Sequence, residues 1–340
     1  MVELYVRLPH SWCGASRAAV VEVAAAAEEL GFAGVSVQDH VLASRAVAPC
    51  GSHHEGDDRM VMESLATLAF VAGRTRRVKL LTGVLVLPFR HVVWTAKMGA
   101  TVDLLSDGRL VLGVGVGARR DRRTDGIQHL GPHADVASRE QALFDLPAPR
   151  GALMDELLAA LDVLWREDPA SYAGRYIRFE GVDLLPRPVQ RPRPPIWIGG
   201  RADAAIRRAA TLGDAWFPSQ ASVGFVGGRR EQLQSIARAA GRPEPAIGVN
   251  LFAAIDDDAE RARSVVRDGL GHRFTSERAL FEATIAGDPD DVLDRLRAYV
   301  AVGVTAFDLK LLPHRLADVI GHLELLARTV LPALAESSPG

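Results

Sequence analysis

The sequence is poor in cysteine. Only Cys13 and Cys50 occur in 340 residues, at no C-x-x-C or zinc-ligand spacing, so neither a disulfide framework nor a cysteine zinc centre is available. A dominant charge is missing too. Forty Lys and Arg against 42 Asp and Glu leave a formal net charge of -2. That excludes the basic footprint of a nucleic-acid binder. Every long apolar stretch is broken by Gly, Arg or Asp well short of a membrane span. The first residues, Met1-Val2-Glu3-Leu4-Tyr5, lack the basic region and apolar run of a secretory signal. The expectation is a cytoplasmic protein with no membrane and no nucleic acid among its partners.

What is present is alternation. Short runs rich in β-branched residues at 3–8, 34–38, 78–87, 109–116, 196–198, 215–217, 247–255 and 306–311 read as strands. Amphipathic helical patterns lie between them, at 16–30, 60–72, 93–105, 153–165, 203–212, 229–240 and 259–269. Asp288-Pro289-Asp290-Asp291 opens another helix with an N-cap and a first-turn proline, and 316–334 closes the chain. Eight strands alternating with helices predict an α/β (β/α)8 TIM barrel, with an open doubly wound sheet as the alternative. The predicted domain is a single one over residues 1–336. Two insertions interrupt it. One follows the fourth strand, at 119–139. The other precedes the fifth, a hairpin-like excursion at 172–195 ending in a proline-rich stretch.

Gly113-Val114-Gly115-Val116-Gly117-Ala118 fits G-x-G-x-x-A after a strand. A Rossmann phosphate loop needs a helix directly afterwards, and the segment that follows, rich in Arg and Asp, has no apolar stripe. The preferred reading is that small residues let a flat ring or a phosphate approach the backbone at the top of a barrel strand. The Rossmann loop stands as the lesser alternative.

Several segments together carry a family likeness. They are Val37-Gln38-Asp39-His40, Leu81-Thr82-Gly83-Val84-Leu85, Ser106-Asp107-Gly108-Arg109 running into Gly113-Val114-Gly115, Ile196-Trp197-Ile198-Gly199-Gly200-Arg201, and Gly213-Asp214-Ala215-Trp216-Phe217-Pro218. In this order they resemble the bacterial luciferase-like superfamily of flavin and deazaflavin oxidoreductases, and most of all its coenzyme F420-dependent branch. The resemblance covers nearly the whole chain. It implies a TIM barrel with the cofactor at the C-terminal ends of the strands, a small organic substrate and a homodimer. It implies catalytic roles for His40 and Asp39. It places a non-proline cis peptide at Gly83-Val84, behind the cofactor ring. Gly115, Val116 and Gly117 would line the ring and ribityl chain. Gly199, Gly200 and Arg201, with Ser219, Gln220, Ala221 and Ser222, would form the phosphate turns. The implied activity is F420-dependent hydride transfer. The alternatives are a monooxygenase using reduced FMN and oxygen, and a non-catalytic binding member of the family.

The sequence departs from the family pattern in places. Ala118 stands where some relatives carry a glutamate acid, and Ala202 where many have a serine. Arg119, Arg120, Arg122 and Arg123 form the sharpest charge run, read either as a solvated loop or as a clamp for an anionic tail or substrate. Residues 119–139 are expected to be a lid over the barrel mouth. Trp12 follows the first strand and is expected to wall the pocket. Cys13 has no partner base in sequence and is not read as a nucleophile. His53-His54-Glu55 with Asp57-Asp58 is read as a polar loop and not a metal cluster, since adjacent histidines do not easily share one tetrahedral ion. Trp197 and Trp216 are read as core.

Overall fold

A computed structural model describes residues 2–11, 14–42, 60–117, 140, 142–144, 146–312 and 315–336. Eight strands close a parallel ring. They are β1 (Glu3–Arg7), β2 (Gly34–Val37), β3 (Lys79–Thr82), β5 (Leu110–Gly115), β8 (Ile196–Gly199), β9 (Ala215–Phe217), β10 (Ala246–Ile255) and β12 (Ala306–Leu311). Each pairs with the next, and β12 returns to β1, with Glu3 opposite Ala306 and Val6 opposite Leu309. The doubly wound alternative is thereby excluded, because an open sheet has no such closing pair.

Helices α1 (Arg17–Glu29), α2 (Ser64–Ala72), α3 (Val92–Leu105), α4 (Arg150–Arg166), α5 (Asp203–Leu212), α6 (Val223–Ala239), α7 (Ala259–Leu270), α8 (Glu277–Glu282), α9 (Pro289–Ala301), α10 (Leu316–Leu325) and α11 (Leu331–Glu336) accompany the strands. Many of the caps are local. Ser16, Ser222, Asp258, Ser276 and Asp288 accept from a backbone N–H two or three residues ahead. The main core joins outward strand residues such as Leu4, Val6, Val35 and Leu309 to helix residues such as Val23, Leu68 and Leu323. Strand residues of opposite parity fill the barrel with Tyr5, Leu81, Val111, Trp197, Ala215, Phe217 and Ala306. Trp216 is fully buried and donates from Nε1 to the Gly200 carbonyl at 2.8 Å.

Four expectations need correction. The third strand does not run unbroken through 78–87. It stops at Thr82 and resumes as β4 (Leu85–Val86), also paired with β5. The break falls at Gly83–Val84, whose peptide is cis, as the family resemblance implies. The helix expected at 229–240 starts earlier, at Val223, because Ser222 caps it by accepting from Phe225 N at 3.2 Å. Gly224, Gly227 and Gly228 hide that start in the sequence. A strand that the pattern did not announce, β11 (Thr284–Gly287), pairs in parallel with Phe252–Ile255. It takes over the edge of β10 above the short β9, which meets only Ala246 and Ile247. Finally, the 172–195 excursion contains a true antiparallel hairpin of β6 (Ala170–Ala173) and β7 (Arg178–Val182), starting two residues early. Its proline-rich return is tied to α3 by buried Asp103, which accepts from Val189 N at 2.7 Å and Gln190 N at 3.0 Å.

Candidate functional site

The barrel interior turns polar above its aromatic floor. Arg7 donates from Nη2 to Asp308 Oδ2 at 2.5 Å and to the Gly83 carbonyl at 3.0 Å. Its Nε donates to Ser36 Oγ at 2.8 Å. Asp308 is fully buried and also accepts from Ser36 Oγ at 2.5 Å and Asn250 Nδ2 at 2.6 Å. Four barrel strands and the Gly83 bulge therefore meet on one ion pair. Just above, His10 is buried, with Nδ1 2.9 Å from the Leu8 carbonyl and Nε2 3.0 Å from both the carbonyl oxygen and the amide nitrogen of Gln38. Burial pushes its pKa down to about 4 against partial support from those backbone bonds. His10 is therefore neutral at pH 7.

Val84 is the wedge on which the predicted cofactor residues converge. A Cβ at Gly115 would lie 2.9 Å from Val84 Cγ2, and one at Gly199 would lie 2.9 Å from Val84 Cγ1. Both positions need glycine because the Val84 methyls already fill that space. Gly113 is glycine for a different reason. A Cβ there would lie 2.0 Å from the Thr82 carbonyl, so the apparent fingerprint serves strand packing. Gly117 bends away with φ +79°, against Val86 and Arg150, and Val116 is half-buried.

The two turns expected to hold phosphate are joined. Arg201 Nη1 donates to the Gln220 carbonyl at 3.0 Å, and its guanidinium lies 4.6 Å from the Phe225 ring centre. Gln220 adopts φ +50°, and its buried Oε1 has no hydrogen-bond partner among the described residues. Ser219 Oγ donates to Asn250 Oδ1 at 3.0 Å, linking the turn to the central network. Tyr299 OH holds the Ala221 carbonyl at 2.8 Å. Both turns lead into helices, α5 and α6. Ala202 precedes α5 as an N-cap without a side-chain bond. Backbone N–H groups at such helix starts suit an anion.

Asp39 and His40 end the second strand but face different partners. Asp39 is buried, accepting from Arg90 Nη2 at 2.7 Å, Val86 N at 2.9 Å and Ser64 Oγ at 3.1 Å. Burial opposes charge on Arg90, yet Asp39 and Glu63 hold its pKa above the ordinary value. His40 Nδ1 lies 3.2 Å from Glu140 Oε2. Glu140 is itself buried and accepts from Val41 N at 2.5 Å and Leu42 N at 3.0 Å. Glu140 was not picked out in the sequence. It lies 100 positions from His40, directly after the insertion, and no local pattern marks it. Trp12, Cys13, Cys50, Ala118, Arg119, Arg120, the rest of the 119–139 insertion and the 53–58 histidine-acid cluster lie outside the described residues.

Comparison with known proteins fits this geometry. The family model for luciferase-like monooxygenases matches residues 7–279. The chain belongs to that family and is an oxidoreductase. It is 25% identical over 327 residues to the oxygenase component of a flavin-dependent trigonelline monooxygenase from Acinetobacter baylyi, covering 84% of this chain and 85% of that one. It is 26% identical over 312 residues to an F420-dependent glucose-6-phosphate dehydrogenase from Nakamurella multipartita, covering 84% of each. Its fold is similar to that of an F420-dependent secondary alcohol dehydrogenase solved with an F420-acetone adduct. That match has a TM-score of 0.76 at 17% identity, over 98% of this chain and 99% of that one. The cofactor class is accordingly a flavin or a deazaflavin. No helix among the described residues is long and apolar enough to cross a membrane.

Proposed function

We propose that the chain is an F420-dependent oxidoreductase acting on a small organic substrate at the C-terminal mouth of the barrel. The observation that carries this reading is the Val84 wedge. Its methyls sit against Gly115 and Gly199, leaving one apolar wall with small residues on either side. The two joined turns lie on the same side of the ring. Such a surface takes a flat tricyclic ring with a phosphate-bearing tail. The Arg run that follows Gly117 in sequence, together with Arg201 beside the turns, favours the longer and more anionic deazaflavin tail over FMN.

When bound, the deazaflavin gives or accepts a hydride. The residues supply position and proton control. Backbone N–H groups of the 199–201 and 219–222 turns hold phosphate. Glu140 accepts from His40 Nδ1 and so presents Nε2 as the nitrogen that can take or return a proton. Asp39, fully engaged by Arg90, Ser64 and Val86, is a positioning residue that fixes the exit of the bulge. The chain folds as a single domain over 1–336 and assembles as a homodimer, as the resemblance implies.

The second reading, a reduced-FMN monooxygenase, draws support from the trigonelline relative. Titration of purified protein with F420, FMN and reduced FMN, followed by fluorescence and absorbance, separates the two. F420 binding at least about tenfold tighter than FMN is expected, and binding of FMN alone would overturn the deazaflavin reading. His40→Ala should lower turnover by about 10²–10⁴-fold with cofactor binding kept, and Glu140→Gln should move the pH profile of turnover. Light scattering tests the dimer.

A further inference from the structure

Two side chains tie the short segment that carries Glu140 to the rest of the protein. Residues 140, 142 and 143 are helical, and Ala142 and Leu143 are exposed. Leu143 keeps 59% of its surface. Glu140 is buried at the start of the segment, where it takes His40 Nδ1, Val41 N and Leu42 N. Phe144, at its end, is half-buried. The Phe144 ring stacks on Phe89, with centroids 4.6 Å apart and planes 7° from parallel.

Phe89 ends the 3-10 turn Leu87–Phe89, directly after β4. Among the described residues neither ring belongs to the main core, whereas Leu146 and Ala148 just downstream pack against it. Core burial therefore does not account for the stack. Offset stacking is directional, so it fixes the angle between the two segments as well as their distance. The next residue, Arg90, binds both oxygens of Asp39, at 2.7 and 3.2 Å, and Asp39 precedes His40. The contacts close a cycle. It runs from His40 to Glu140, along one helical turn to Phe144, across to Phe89, on to Arg90, and back through Asp39. Each contact in a cycle reduces the chain freedom that the next must overcome. Glu140 needs that support, because a buried carboxylate is costly once its donors drift and a single helical turn is marginal by itself.

We propose that Phe89 and Phe144 are positioning residues of the proton-handling site. Their stack latches the Glu140 segment onto the turn that carries Arg90, and so sets Glu140 against His40 Nδ1. This rests on the reading of His40 above as the group that takes or returns a proton. The two rings act through Glu140 and Arg90 and not on the reacting atoms. With the latch closed, the His40 ring keeps one tautomer, its proton on Nδ1 toward Glu140. With the latch open, Glu140 loses its place and both tautomers are populated. Phe89 also borders the cofactor residues, since a Cβ at Gly117 would lie 3.9 Å from Phe89 Cε2. Phe144 is therefore the position that separates the latch from the cofactor wall.

The test uses the full chain without cofactor and has two readouts. One is hydrogen–deuterium exchange at Val41 and Leu42, whose N–H groups Glu140 receives. The other is the magic-angle-spinning ¹⁵N spectrum of histidine-labelled protein, with His40 assigned by its loss in His40→Asn. The wild type should exchange slowly at 41–42 and show one Nδ1-protonated His40 at about pH 8, where an ordinary histidine is neutral. Glu140→Ala should speed that exchange at least about tenfold and mix the tautomers. Phe144→Ala should mix them too and speed exchange about two- to tenfold, the factor an aromatic pair carries. Phe144→Tyr, which keeps the stack, should restore both readouts. Phe144→Ala/Glu140→Ala should exchange no faster than Glu140→Ala, because the ring acts through the carboxylate. Exchange along α5 is the control. If Phe144→Ala speeds it equally, Phe144→Leu, which keeps most of the volume and loses the ring, is read in its place by the same criteria. Wild-type exchange and tautomer in Phe144→Ala would overturn the latch, and so would Phe144→Tyr behaving like Phe144→Ala or effects that multiply in the double variant. Unchanged turnover in His40→Ala refutes the reading of His40 as proton carrier and leaves these readouts standing. Titration of F420 and FMN is separate again, since absent F420 binding to a wild type with protected 41–42 amides refutes the F420 reading alone.

Discussion

Asp308→Asn is the sharpest perturbation of this barrel. Asp308 is fully buried, and Arg7 is 8% exposed. Their contact at 2.5 Å joins the first strand to the last. Replacing the carboxylate by an amide leaves the guanidinium charged in a dry interior. It also points an NH₂ group either at the Ser36 donor on the Oδ1 side or at the Arg7 and Asn250 donors on the Oδ2 side. Breaking a buried pair from one side costs about 3–5 kcal/mol, a large share of the roughly 5–15 kcal/mol that holds a typical protein folded. Arg7→Met should cost a similar amount, because it strands Asp308 and the Gly83 carbonyl. In the double variant Arg7→Met/Asp308→Leu both charges go together. The remaining cost falls on the Gly83 carbonyl, Ser36 and Asn250, at about 1–3 kcal/mol for an unmet buried partner. The double variant should therefore cost clearly less than the sum of the two single variants. Urea unfolding followed by tryptophan fluorescence and circular dichroism gives the three midpoints. A second readout is cofactor affinity, which Arg7→Met should weaken because Arg7 holds the bulge through the Gly83 carbonyl. A cost below about 1 kcal/mol for Asp308→Asn, or single costs that simply add in the double variant, would refute this account of the network.

Gly199→Ala puts a Cβ 2.9 Å from Val84 Cγ1 and should cost about 1–3 kcal/mol by overpacking. Adding Val84→Ala should recover part of that cost, and strictly additive midpoints would show that the wedge is not the cause. His10 is held neutral by burial, with its pKa lowered from 6.5 to about 4. The unfolded chain therefore takes up the proton first as pH falls, so the stability His10 contributes is whole above pH 6.5 and is lost progressively down to pH 4. The loss amounts to about 3 kcal/mol. His10→Asn should flatten that part of the stability curve, and an unchanged slope between pH 6.5 and 4 would contradict it. Tyr299→Phe removes the bond to the Ala221 carbonyl and should cost about 1 kcal/mol. Faster amide exchange at 219–222 is the accompanying sign, and its absence would separate Tyr299 from that turn.

Local rules made much of the molecule readable from sequence. A serine or aspartate before a helical stripe sets a cap within three residues, as at Ser16 and Asp288. Alternation of apolar residues over four to six positions sets strand faces. Both depend only on neighbours along the chain, so the positions of the eight barrel strands and the Gly-rich strand ends could be read without coordinates, while the special peptide at Gly83–Val84 was an implication of the family resemblance. Short or glycine-diluted elements escaped, because α8, β11 and the first turn of α6 gain their stability from what they pack on. Register across the ring also lay beyond the sequence. Arg7 and Asp308 are 301 positions apart, His40 and Glu140 are 100 apart, and Phe252 gathers Lys310 from the last strand and Arg273 from a turn. Only closure of the barrel fixes which strand ends face one another. The identity of each charged partner is therefore a property of the closed ring.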